Sequence, residues 1–325
     1  MDPHYRERGG VLGGLFAVTV ALSACANAHA AAPRPEPAAA TISSSTLDCG
    51  QRWPAGTASV TVRVDGYDRR ARVHLPSRYR SDESVPLVLN LHGSGSTGDR
   101  QAVNSGMDGT ADAHDFVVAY PDGERRLGSG YIWNVPGTPN WQARGPDEAS
   151  FLSHLVRLLH ERYCVDLDRV YAVGFSGGAR LVSQLACGPD RTVAAVAMVG
   201  GLRAPSPCGS GPLPVLAVHG TADAQNPYDG HGQPYWTYGV PEAARRWAVH
   251  DGCSLAPAIN RTGPGVTLTT YRGCRADGAV QLYTLAGRGH VWPSVRNTGF
   301  DWDEAVWQFF AAHPRRAADH GRPRG

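Results

Sequence analysis

The sequence predicts an α/β sandwich: a mainly parallel central sheet that opens with an antiparallel hairpin and carries helices on both faces. Three observations predict it. Two early segments, 58–64 and 70–75, alternate apolar and polar residues, the period of strands with one wet face. Six later runs are more continuously apolar and bounded by Gly or Pro, as in strands covered on both sides. Between them lie segments whose apolar residues recur three and four apart, the helical period.

In chain order, 58–64 and 70–75 form the opening hairpin. The buried strands are expected at 86–91, 116–120, 169–175, 194–199, 214–218 and 280–285. A helix over 147–163 places Phe151, Leu155, Val156 and Leu159 on one face. Shorter helices are expected at 179–186 and 241–250. A last helix, 301–313, carries Trp302, Val306, Phe309 and Phe310, and Pro314 stops it. No repeat or second linker interrupts 49–315, which reads as a single domain, with a frayed basic tail over 316–325.

The N-terminus reads as an export segment. Arg6 and Arg8 precede an apolar run over 11–24, too short to cross a bilayer but suited to a signal peptide over 1–24. Leu22-Ser23-Ala24-Cys25 resembles a lipobox, in which Cys25 becomes lipid-modified. Cleavage after Ala28-His29-Ala30 is the alternative, giving free secretion. Residues 26–45 form an Ala/Pro/Ser-rich tether. Any membrane association is expected only through the Cys25 anchor.

Composition excludes other classes. Hydrophobic residues make up 42% of the 325 and charged residues 18%, so the chain has a core and is not disordered. A net charge of +2 gives no nucleic-acid footprint. All 31 basic residues are Arg, which excludes any lysine-dependent chemistry. Setting Cys25 aside, six cysteines remain, an even number suited to an oxidising compartment. They allow 15 connectivities. Cys187–Cys208 and Cys253–Cys274 are the locally reachable pairs, which leaves Cys49–Cys164. No C-x-x-C or H-E-x-x-H spacing supports a metal site, and none is expected.

One motif carries chemistry. Gly174-Phe175-Ser176-Gly177-Gly178 is G-x-S-x-G, with a strand before it and a helix after it. That context holds a nucleophilic serine on a sharp, strained turn. A serine hydroxyl needs a base, and the base an orienting acid. Two later strand ends supply them in order. The strand 214–218 leads into His219-Gly220-Thr221-Ala222-Asp223, and 280–285 into Ala286-Gly287-Arg288-Gly289-His290. Asp223 is the expected acid and His290 the base, with Asp229 a rival acid further along the same loop. His92 and His219 read as structural, and His250 as a helix-surface residue.

An oxyanion hole needs two amide donors. The residue after the nucleophile, Gly177, supplies one. The loop Leu91-His92-Gly93-Ser94-Gly95-Ser96 supplies the other, assigned to Ser94 with Gly95 as an alternative. The same loop contains Gly93-Ser94-Gly95-Ser96-Thr97-Gly98, a G-x-G-x-x-G match. Dinucleotide binding is not expected, because the nearest acid, Asp115, precedes the next strand when it should end it.

Several motifs together resemble a known family. They are LHGSGS at 91–96, YPDG at 120–123, RVYAVGFSGG at 169–178, HGTAD at 219–223, GHVWP at 289–293 and WDEAVWQFFAAHPR at 302–315. The chain resembles, from about Cys49 to Arg315, the secreted esterases grouped as polyhydroxybutyrate depolymerases, feruloyl esterases and acetylxylan esterases, of the α/β-hydrolase superfamily. The resemblance implies that fold, a Ser176–Asp223–His290 triad and no cofactor. Its cysteine placement is similar to that of exported members. Larger members carry a separate polymer-binding domain, for which 49–315 leaves no room, so efficient attack on solid polymer is not expected.

The expected reaction is hydrolysis of a carboxylic ester through an acyl-enzyme. The expected substrates are feruloyl or acetyl esters of plant polysaccharide, then short hydroxyalkanoate oligomers. Trp292, two residues from His290, and Trp133 and Trp141, in a Gly/Pro/Asn-rich loop, are candidate pocket walls or else core anchors. A monomer is expected. A peptidase on the same scaffold and a ligand-binding lipoprotein without catalysis are the competing readings.

Overall fold

The computed structural model describes residues 53–188, 192–231 and 235–315. The expected signal segment 1–24, Cys25, the tether 26–45, Cys49 and the tail 316–325 lie outside the described residues. The elements run β1 (Gly56–Val64), β2 (Tyr67–Leu75), β3 (Val85–Leu91), α1 (Gly98–Ser105), α2 (Met107–His114), β4 (Val117–Pro121), β5 (Arg125–Leu127) and β6 (Gly130–Ile132). They continue α3 (Glu148–Tyr163), β7 (Val165–Phe175), α4 (Gly177–Ala186), β8 (Ala195–Val199), β9 (Pro214–Gly220) and α5 (Val240–His250). The chain closes with β10 (Ala258–Gly263), β11 (Val266–Tyr271), β12 (Ala279–Leu285), α6 (Val295–Thr298) and α7 (Trp302–Ala311).

Ten strands form one sheet, in the order β1-β2-β4-β3-β7-β8-β9-β12-β11-β10. The six strands from β4 to β12 in that order are parallel, and they contain the six mostly apolar runs of the sequence. The antiparallel β1–β2 hairpin closes one edge. At the other edge β10 and β11 form a second antiparallel pair beyond β12, which the sequence reading did not anticipate.

Residue alternation along the central strands explains why both faces are covered. Leu87 and Leu89 of β3, and Val196 and Met198 of β8, pack with Phe151 and Leu155 of α3, Val182 of α4 and Trp247 of α5. Val88, Ala195 and Ala197 point the other way, into Met107 and Ala111 of α2 and Trp302, Val306 and Phe310 of α7. Each such buried Leu or Val stabilises the fold by roughly 1.5–3 kcal/mol relative to exposure, which favours this register over a one-residue slip.

Cys187–Cys208 and Cys253–Cys274 are joined as disulfides. Cys164 is also disulfide-bonded, and the Cys49 end of the expected third bridge lies outside the described residues.

Helix α4 lies so close to β3 that Gly178 has no room for a side chain. A Cβ there would stand 2.7 Å from the His92 carbonyl oxygen and closer still to that of Leu91. Both obstacles are backbone, so the helix itself must shift. Gly178→Ala is expected to destabilise the fold by about 3 kcal/mol, read as a lowered urea midpoint. An unchanged midpoint would mean that α4 slides freely on the sheet.

Candidate active site

β7, β8, β9 and β12 are neighbours in the sheet, and the loops beyond their carboxyl ends meet. In an open α/β sheet this is where ligands bind. Ser176 lies between β7 and α4 with φ 53° and ψ −110°, a backbone conformation that costs an L residue energy. Its amide donates to the Val199 carbonyl at 2.8 Å, which ties the turn to the end of β8. Gly201 packs on the Ser176 carbonyl and stands where a Cβ would come within 2.7 Å of the Ala179 side chain.

Asp223 follows the turn at the end of β9 and is 3% exposed. Its Oδ1 accepts the amides of Gln225 and Asn226, each at 2.9 Å. Its Oδ2 meets His290 Nδ1 at 2.7 Å and His219 Nε2 at 3.2 Å. Burial alone would raise the carboxyl pKa. The hydrogen bonds from His219, His290 and the Asn226 amide outweigh it and hold the group well below the usual carboxylate range. These bonds favour the carboxylate form of Asp223 next to His290. Asp229 is exposed and caps the His231 amide at 3.3 Å, away from His290.

His290 follows β12. Its loop is clipped to the Asp223 loop by Ala222 N–H to the Arg288 carbonyl (2.9 Å) and Gly287 N–H to Thr221 Oγ1 (2.8 Å). The imidazole lies 4.8 Å from the ring of Phe175, the neighbour of Ser176. It is seated against Gly200, where a Cβ would come 3.2 Å from both Nδ1 and Cε1, and where φ is +59°. The Nε2 atom is buried and has no hydrogen-bond partner among the described residues. It is the free basic nitrogen of the group, and such contacts tighten when substrate binds.

The β3–α1 loop lies beside the start of α4. His92 Nδ1 lies 2.8 Å from the Gly93 carbonyl, and its Nε2 accepts the Gly123 amide at 3.0 Å. That pattern needs Nδ1 protonated and Nε2 bare, and burial lowers the imidazole pKa. Trp133 stacks on His92 at 4.6 Å and donates to its carbonyl at 2.8 Å. The Gly95 amide is taken by the Tyr131 carbonyl at 2.8 Å. The Ser94 amide has no acceptor among the described residues and would stand 3.2 Å from a Cβ at Gly177. Gly177 opens α4, where helix amides are unpaired. The structure thus brings the Ser94 and Gly177 amides together and commits that of Gly95 elsewhere. Gly98, the last glycine of the G-x-G-x-x-G match, packs directly on the Tyr120 carbonyl, so its glycine serves close backbone packing.

The tryptophans and the remaining histidines singled out in the sequence take the following places. Trp292 is 2% exposed and donates to Asp303 Oδ1 at 3.1 Å, so it anchors α7 in the core instead of lining a pocket. Trp141 is exposed and borders a different cleft, with Pro136 and Leu181. Trp133 is buried, and its edge borders a small cleft of about 110 Å³ with Ser94, Gly177, Arg180 and Tyr235. His250 bridges Asp251 Oδ1 (2.8 Å) and the Ser210 carbonyl (3.0 Å), pinning the end of α5 rather than facing solvent freely. His219 is structural as expected, through the Asn226 carbonyl at 2.8 Å, but it also shares Asp223. Asn226 was not singled out in the sequence. It is buried, donates to the Gly200 carbonyl and accepts from Arg180 Nη1 at 3.2 Å.

Asp303, the partner of Trp292, gives a pH prediction. Burial pushes its carboxyl up to about 8, helped by Asp301 and only partly offset by the Trp292 N–H. A carboxyl whose pKa is raised on folding contributes stability that is complete below its unfolded value, near ~4, and lost as pH rises through the folded value. Asp303→Asn keeps an oxygen for Trp292 and cannot ionise. Its melting temperature should exceed that of the wild type by a margin that widens from pH 5 to 8. Parallel curves would mean that Asp303 is already ionised in the fold.

The comparisons with known proteins agree with this architecture. The family model described as "Esterase PHB depolymerase" matches residues 72–206, which include the Ser94 loop and Ser176. The chain is 32% identical over 308 residues to the "Putative esterase NocK" of Nocardia uniformis subsp. tsuyamanensis, an alignment covering 86% of this chain and 88% of that protein. The chain belongs to the PHB depolymerase esterase family. It is a carboxylic ester hydrolase by that membership. Feruloyl esterase B of Piromyces equi is 28% identical over 69% of this chain, which spans 42% of that longer protein. The acetyl xylan esterase of Aspergillus awamori superposes with a TM-score of 0.57 at 16% identity, over 78% of this chain and 99% of the other, and shares the α/β-hydrolase fold. Among the described residues, no helix of this family member is long and apolar enough to cross a membrane.

Proposed function

We propose that this family member is an exported serine esterase whose first substrates are feruloyl or acetyl esters of plant polysaccharide. The observation that carries the reading is the 2.7 Å contact between Asp223 and His290, beside a serine held at φ 53°. Ser176 attacks the ester carbonyl while His290 Nε2 takes its proton. Asp223 fixes the imidazole tautomer and stabilises the imidazolium. The Ser94 and Gly177 amides receive the developing oxyanion, a contribution of about 3–4 kcal/mol per donor. His290 then protonates the leaving alcohol. Water repeats the sequence on the acyl-enzyme and restores Ser176.

The cleft of about 110 Å³ beside Ser94 and Gly177 suits a small acyl group, and the acetyl branch draws its support from that size. The family's description favours a second reading, in which short hydroxyalkanoate oligomers are the substrate. The two disulfides fit an oxidising compartment, as does the apolar segment 11–24. The anchor would be a lipid on Cys25, with cleavage after Ala30 as the soluble form, and intact-mass analysis of the exported chain separates them.

The test is hydrolysis of para-nitrophenyl acetate and butyrate, methyl ferulate, acetylated xylan and a hydroxybutyrate oligomer, each run beside Ser176→Ala. Cleavage by the wild type alone, with fluorophosphonate labelling at Ser176, supports the serine esterase, and the best substrate names the branch. A folded wild type that cleaves none and resists labelling overturns it.

A further inference from the structure

Two arginines of the clefts next to the nucleophile, Arg180 and Arg203, have no counter-ion among the described residues. Arg180 lies four residues after Ser176 on α4, about 6 Å along the helix axis, and its side chain leans back toward the helix start. It borders the small cleft of Ser94 and Gly177, and also a second cleft of about 260 Å³ that it shares with Arg203, Arg246, Tyr235 and Tyr238. No carboxylate lines either cleft. Among the described residues neither Arg180 nor Arg203 has a carboxylate oxygen within 4.0 Å, whereas Arg246 is paired with Glu242 at 3.0 Å.

Part of the donor capacity is unspent. Arg180 donates from Nη1 to Asn226 Oδ1 at 3.2 Å and is hydrogen-bonded to the Tyr235 side chain, but its buried Nε has no acceptor among the described residues. The Arg203 side chain makes no hydrogen bond to a described residue, and its Nη1 is buried without an acceptor. The guanidiniums are held in place by rings. Arg180 lies 5.2 Å from Tyr235, and Arg203 lies 4.1 Å from Tyr238 and 5.0 Å from Trp236. Burial lowers the pKa of both, and the charges of Arg180 and Arg246 lower that of Arg203 further. Like charges gathered in a half-buried cleft are unfavourable unless an anion enters. The proton transfers of the ester mechanism use neither residue.

We propose that Arg180 and Arg203 form an anion-binding subsite that selects esters carrying a carboxylate a few bonds from the scissile carbonyl. The inference deepens the serine-esterase reading and rests on it. The planar guanidinium fork matches a carboxylate, and such charge-assisted bonds are about twice as strong as neutral ones. The carboxylate can belong to the acyl part, as in a half-ester of a dicarboxylic acid, or to the alcohol part, as in a hydroxyalkanoate dimer.

The test uses the purified full chain and two matched pairs. On the acyl side, para-nitrophenyl hemiadipate is compared with its neutral adipamate. On the alcohol side, 3-(butyryloxy)butyrate is compared with its neutral carboxamide. We expect kcat/KM for the acid to exceed that of its carboxamide by about 10-fold in at least one pair, and the pair that responds identifies the source of the carboxylate. The preference should fall toward unity in Arg203→Gln and persist in part in Arg203→Lys. If Arg203→Gln does not fold, competition in the wild type replaces it: free adipate should inhibit cleavage of the neutral adipamate at least about 10-fold more strongly than adipamide does. Equal or faster cleavage of both carboxamides by the wild type overturns the subsite and leaves the esterase intact. A preference unchanged in Arg203→Gln, or inhibition by adipamide equal to that by adipate, does the same. No cleavage of any of the four, with no fluorophosphonate labelling, is instead the failure of the serine-esterase reading.

Discussion

Replacing Ser176 with alanine is expected to lower kcat on any accepted ester about a million-fold while the chain stays folded. The size follows from the division of labour in the site. Without a nucleophile, His290 has no proton to take and no acyl-enzyme forms, so the two-step route is lost whole. What remains is the Ser94 and Gly177 amides acting on a bound ester attacked directly by water, worth about 10³–10⁴ over the uncatalysed reaction. A loss below about a hundred-fold would put the nucleophile elsewhere. The same position gives a stability readout that runs the other way. Ser176 sits at φ 53° and ψ −110°, where a side chain is strained. Ser176→Gly removes the Cβ that pays for that conformation and is expected to raise stability by about 1 kcal/mol while remaining inactive. Gain of stability with loss of activity at one residue is the mark of strain kept for function, and paired urea melts read it directly.

The parts of the molecule that were legible in the sequence are those written locally. The six central strands could be read because strands covered on both faces are mostly apolar, as in VPLVLNL of β3, where Asn90 is the one polar residue. The elbow could be read because G-x-S-x-G is a local pattern set between a strand and a helix, although Gly177 and Gly178 answer to the distant β3–α1 loop, and Asp223 and His290 could be read because each follows within a few residues of a strand's carboxyl end. Other parts answer to contacts that no window of sequence contains. Helix α1 reads GDRQAVNS and has no apolar stripe to announce it; Thr97 and Gly106 cap it instead. Strand β10 is exposed along most of its length, so it shows no alternation and is defined by pairing with β11. Sequence leaves Trp292 open as a pocket wall or a core anchor, and only the fold decides: the indole bonds Asp303, eleven residues further on, and lies 6.4 Å from the Phe175 ring. Asn226 and Arg180 carry no motif, and only the meeting of the β8, β9 and α4 ends gives them a place at the site.

Asp223→Asn is the more informative of the two large effects, because it changes almost no shape. In the wild type Oδ1 accepts two backbone amides and Oδ2 faces His290 Nδ1. An asparagine must keep its oxygen on the two amides, since an NH₂ group cannot accept from them. Its NH₂ then points at His290 and needs an acceptor there. Nδ1 must give up its proton, the proton moves to Nε2, and the imidazole can no longer take one from Ser176. Loss of the correct tautomer costs about 10⁴ in kcat with the fold intact. The NH₂ also meets His219 Nε2, which bonds the Asn226 carbonyl as a donor, so the substitution disturbs both histidines at once. Asp229→Asn is the matched control, an exposed carboxylate on the same loop that should leave kcat within about twofold. Full activity in Asp223→Asn with a loss in Asp229→Asn would exchange their roles. A loss confined to Asp223→Asn means that a single buried carboxylate, held by two amides on one oxygen, sets which nitrogen of His290 is the base.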